Sequence, residues 1–104
     1  MVNRKLSPET QRRVDALFHG PDRDDAASLL IEQCGNNLPF LENHDEYDME
    51  RIRFAALKVS EGRLPRLREA IELAKIDWRD LLMAAGFGED LGAHERWFPG
   101  EGRN

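Results

Sequence analysis

The chain has 104 residues, a net charge of −5, 34% charged and 40% hydrophobic side chains. That length suits one domain with one modest core. No apolar run reaches the ~18–20 residues of a membrane span, the start "MVNRKLSPET" lacks the apolar stretch of a secretory signal, and a single cysteine, Cys34, rules out an internal disulfide framework. The expectation is one soluble cytoplasmic domain, 1–104, with an ordered core over about 7–98 and a flexible tail after 99.

Charge is segregated along the chain. Residues 15–50 hold ten acidic side chains and one basic one, Arg23, whereas residues 51–68 hold six basic side chains and one acidic one, Glu61. Two readings are open: the segments face each other or lie on separate solvated faces, or the basic segment meets an anionic partner. An overall acidic chain is a poor nucleic-acid binder.

Nearly every segment reads as helix. Ser7 is an N-cap with Pro8 at the first helical position, and Val14, Leu17 and Phe18 follow helical spacing up to a stop at Gly20-Pro21. Asp22 is expected to cap a second helix, with Ala27, Leu30, Ile31 and Cys34 as its apolar stripe. In "CGNNLPF" a glycine, two carboxamides and a proline come directly after, which is the chemistry of a corner between helices. Leu38–Leu41 is compatible with one further turn.

Asp45 and Asp48 mark the start of a third helix that runs to about Gly62. Met49, Ile52, Phe54, Ala55, Ala56, Leu57 and Val59 make it apolar over a wide arc, so it should be central, with Arg51, Arg53 and Lys58 on its remaining exposed strip. A fourth helix begins with Pro65 at its first position and carries Leu64, Leu67, Ile71 and Ala74 as a packing stripe. After a short loop, "IDWRDLLMAAGFG" specifies a fifth. Asp77 is its cap, Ile76 is placed to staple onto Leu81, Gly86 is its left-handed terminator and Phe87 is placed to pack on Leu82. Trp97 and Phe98 are too apolar for a free tail and should fold back. No strand pattern competes, so the fold class is all-α: a compact bundle of about five helices.

Few side chains suit chemistry. His19, His44, His94 and Cys34 form no close pair, which argues against zinc. "HDEYDME" is rich in oxygen donors but lacks the alternation and glycine of a calcium loop. "GFGEDLG" has misplaced glycines for a phosphate loop and comes after a helix, not a strand. Cys34 on an apolar stripe reads as a core thiol. Trp78 and Trp97 read as plugs between the last helix and the tail, or as an exposed anchor for a partner. No cofactor or metal is called for.

The segments "EQCGNNLPF", "RIRFAALKVSEG" and "IDWRDLLMAAGFG" are similar to small bacterial single-domain helical proteins of unassigned function. The resemblance implies a bacterial helical domain and carries no activity or site residue. The leading functional expectation is a non-enzymatic protein-interaction module. Its surface would be the basic strip Arg51, Arg53, Arg63, Arg66 and Arg68, with Trp78, facing an acidic protein. The alternative is a small-ligand-binding or hydrolytic site at Asn36, Asn37 and His44, where the imidazole carries a proton and the amides orient a substrate. Self-association through the apolar helix at 48–62 is a third option.

Overall fold

A computed structural model describes residues 6–34, 46–88 and 92–99. Among these residues five helices and no strand are found: α1 Pro8–Leu17, α2 Pro21–Gln33, α3 Glu46–Ser60, α4 Leu64–Ala85 and α5 Ala93–Arg96. The all-α expectation holds.

Helix α1 starts as its sequence dictates. Ser7 is extended and its Oγ accepts the Thr10 backbone N–H at 3.1 Å, with Pro8 in the first turn. The same Oγ donates to the Glu50 carboxylate, so the cap also ties α1 to α3. Helix α2 starts earlier than a cap at Asp22 suggests. Gly20, at φ 60°, is its N-cap and Pro21 its first residue. The buried stripe is accordingly Ala26, Leu30 and Cys34, with Ala27 and Ile31 only half-buried.

Helices α3 and α4 form the centre, a hairpin closed by Glu61–Arg63. Ser60 holds this turn: its Oγ donates to the Leu57 carbonyl at 2.6 Å and accepts from the Gly62 N–H at 3.2 Å. Gly62 has φ 79°, and a Cβ on it would stand 2.8 Å from the Leu17 carbonyl oxygen. The end of α1 therefore rests directly on this turn. Ala55 and Ala56 on α3, with Ala70, Ala74 and Ala85 on α4, are buried and small, which suits close approach of two helix axes. The α1–α2 pair lies across the hairpin, α1 against α3 and α2 against α4, and α5 packs on α3. Helix α3 is thus central, with most of its apolar arc buried internally and Met49 and Val59 half-buried.

The fourth and fifth expected helices follow each other directly within α4. α4 breaks where they were expected to part: Asp77 is extended (φ −158°, ψ 100°) between a segment from Leu64 and one that ends at Ala85, and Pro65 is the second residue of the first segment, not its first. Asp77 still caps the turn beyond the bend, since its Oδ1 accepts the Arg79 N–H at 3.0 Å. The staple is not made: Ile76 is 74% exposed, because the preceding turn stays helical and carries that side chain outward. The terminator forms as expected. Gly86 is left-handed at φ 81°, Phe87 N–H reaches the Leu82 carbonyl at 2.8 Å, and Gly86 N–H reaches the Met83 carbonyl at 3.0 Å.

The tail returns to the bundle. Trp97 packs half-buried on the core, with its ring 6.3 Å from Phe54 and 6.2 Å from Phe87. His94 on α5 is fully buried, 5.3 Å edge-on to Phe54.

Candidate functional site

The basic strip read from the sequence separates into inward and outward arginines. Arg51 is buried, 8% exposed, and donates to the Phe87 carbonyl just past the end of α4. Arg53 is half-buried and its Nε donates to the Cys34 carbonyl at the end of α2, at 2.9 Å. Each cation serves a carbonyl oxygen that α-helical bonding leaves without a donor near a helix C-terminus, and each sits near the negative end of a helix dipole. Burial lowers the pKa of Arg53, as desolvation disfavours the charged form. Arg51 therefore does not belong to a surface strip, which corrects the expectation for it, while Arg53 remains partly exposed.

Arg63, Arg66 and Arg68 are exposed at the start of α4. At about 100° per residue, Arg66 and Arg68 lie on opposite flanks of the helix, with Arg63 nearer to Arg66. Their charges add to the positive end of the helix dipole instead of cancelling it. Arg66 has one loose partner, Glu69 at 3.7 Å, both side chains well exposed, which is worth little. Arg63 and Arg68 form no ion pair or side-chain hydrogen bond among the described residues. Asp22, Asp24 and Asp25 on α2 form none with these arginines either, while Arg23 turns to Asp15 at 3.8 Å. Among the described residues, therefore, the opposing charge runs do not neutralise each other by direct pairing.

Arg68 borders a shallow notch between α2 and α4. Leu29 and Ile71 supply its apolar surface, Gln33 and Glu72 its polar edge, and its volume is about 120 Å³. Lys75 donates to Gln33 Oε1 at 2.8 Å and to Glu72 Oε2 at 3.0 Å, which offsets the one carboxylate there. The notch is well below the roughly 300–1,000 Å³ of small-molecule pockets. Trp78 is half-buried against the core, ten residues on from Arg68 and beyond the Asp77 break, and does not line this notch.

Other candidates resolve differently. Cys34 is fully buried, and desolvation pushes its thiol up to about 12 against the opposing pull of Arg53 and Lys75. A thiol held protonated in this way is a core group, not a nucleophile. Ser60 is spent on its turn. His19 is exposed. Asn36, Asn37 and His44 lie outside the described residues, as do the Asp45 cap and the turn at 38–41. Among the described residues no group of three or more His, Cys, Asp or Glu could hold a metal ion, and no helix is long and apolar enough to cross a membrane.

The residue that sequence reasoning missed is Arg13. It is 4% exposed, and its guanidinium lies 4.1 Å from the Phe54 ring centroid and 5.0 Å from that of Phe98. Nε and Nη2 donate to the Trp97 carbonyl at 3.0 and 2.8 Å, and Nη1 to the Glu9 carbonyl and carboxylate, each at 2.9 Å. Glu9, itself exposed, is pulled below the usual carboxylate range chiefly by its bond to Arg13. The available signal was position: Arg13 sits beside Val14 on the face of α1 that turns inward.

No protein-family model, curated protein or solved structure matches this chain. The functional reading therefore comes from the chain's own residues.

Proposed function

We propose that the chain is a single-domain, non-enzymatic interaction module of the bacterial cytoplasm that docks an acidic protein through the start of α4. The observation behind this reading is that Arg63 and Arg68 are exposed and without ion-pair partners among the described residues, in a chain of net charge −5. Such charges raise encounter rates with an acidic surface and fix its orientation. The bacterial and cytoplasmic parts rest on sequence resemblance and on the single cysteine. A catalytic reading would rest on Asn36, Asn37 and His44, which lie outside the described residues.

The test is charge reversal. Arg63→Glu, Arg66→Glu and Arg68→Glu together alter only exposed side chains, so the helical circular dichroism of the variant should match wild type. A site-specific photo-crosslinker at Pro65 in the wild-type chain should capture an acidic protein in cells, and the triple reversal should abolish that capture. Recovery of the same partner at undiminished yield would end the proposal.

A further inference from the structure

Resting on that reading of α4, we propose that the notch between α2 and α4 receives one aliphatic side chain of an acidic helical segment of the partner. A carboxylate one turn away on that segment meets Arg68. The notch holds about 120 Å³, which suits one aliphatic side chain and is too small for a drug-sized ligand. Its apolar lining is Leu29 and Ile71, which are contributed by different helices.

Charge selects the occupant. Arg68 is the rim cation without an ion pair among the described residues, whereas Glu72 is already matched by Lys75 at 3.0 Å. A guanidinium fork pairs with a carboxylate in two parallel hydrogen bonds, more strongly than with a neutral acceptor. On a helix, an aliphatic residue and an acid three or four positions apart share one face. The two recognition elements of the notch, apolar lining and cation, thus correspond to one turn of an acidic amphipathic helix. Arg63 and Arg66 add long-range attraction without specifying the anchor.

The experiment titrates the intact, isotopically labelled chain with three capped 16-residue helical peptides while NMR shifts are followed. The first is glutamate-rich with one leucine a turn from a glutamate. The second replaces that leucine with serine, and the third replaces the glutamates with lysine. Expected are shifts of the Leu29 and Ile71 methyls and of Arg68 Nε–H with the first peptide. The serine twin should bind roughly tenfold or more weakly and leave the methyls unmoved. Arg68→Gln should weaken the leucine peptide by a similar factor. If both acidic peptides move the arginine signals equally and neither moves the methyls, the notch assignment falls and the basic surface survives. If neither acidic peptide binds, or if the lysine peptide binds as well, the basic-surface reading falls with it.

Discussion

Replacing Arg13 by methionine tests what holds the C-terminal segment to the bundle. The change keeps an unbranched apolar stem and removes the guanidinium. Two charge-assisted hydrogen bonds to the Trp97 carbonyl disappear, as do the stacking contacts on Phe54 and Phe98. A hydrogen bond to a charged group contributes about 1.5–3 kcal/mol, and a largely desolvated cation–π contact about 1–2. Trp97 is only half-buried, so water replaces part of the lost bonding. The methionine stem also retains some burial. The net expectation is a loss of about 2–4 kcal/mol. For a domain of this size each kcal/mol moves the melting temperature by about 4–8 °C, which makes a drop of roughly 8–32 °C. Thermal circular dichroism measures it, and in a Trp78→Phe background tryptophan fluorescence shifting red before the global transition would place the first loosening at Trp97. Arg13→Lys keeps the charge but not the fork, and should recover less than half of the loss. A melting temperature for Arg13→Met within about 3 °C of wild type would refute the clamp.

Two further outcomes come from the same geometry. Cys34 has its thiol pushed up to about 12 from 9.0, so folded chains keep a proton that unfolded chains release. Its contribution to stability is complete below about pH 9 and lost as pH rises toward 12. Denaturant titrations should show wild type losing about 1.4 kcal/mol per pH unit in that window relative to Cys34→Ala. Equal slopes for the two proteins would contradict it. In the α3–α4 turn, Gly62→Ala forces a Cβ to 2.8 Å from the Leu17 oxygen at φ 79° and should cost about 2 kcal/mol or more. Glu61→Gly relieves a left-handed non-glycine residue at φ 54° and should be neutral or stabilising by up to about 1 kcal/mol. The denaturation midpoint of Gly62→Ala should fall and that of Glu61→Gly should not, and a tolerated Gly62→Ala would show that α1 does not press on the turn.

Much of the architecture was readable from local chemistry. Ser7-Pro8 and Gly86-Phe87 act through bonds within one or two helical turns, so their sequence suffices to place them. The apolar arc of α3 announced a central helix for a similar reason: only a helix covered on several sides keeps so many large side chains dry. The errors fell where a side chain's role depends on a segment far along the chain. Arg51 and Arg53 resemble solvated charges until Phe87 and Cys34 offer their carbonyls from the ends of α4 and α2. Ile76 resembles a staple until the last helical turn before the Asp77 break points it outward.

By itself, then, the sequence determined an all-helical chain, the positions of its sharpest starts and stops, and a core thiol at Cys34. Those properties arise from propensity, capping and periodicity, which act over a few residues. Tertiary structure alone decided which arginines are interior clamps and which remain outside. It also decided that Leu29 and Ile71 meet beside Arg68 to form a notch. The physical reason is that a cation goes inward only when the fold delivers acceptors to it. Helix ends supply such acceptors, and where they come to rest depends on how the helices pack.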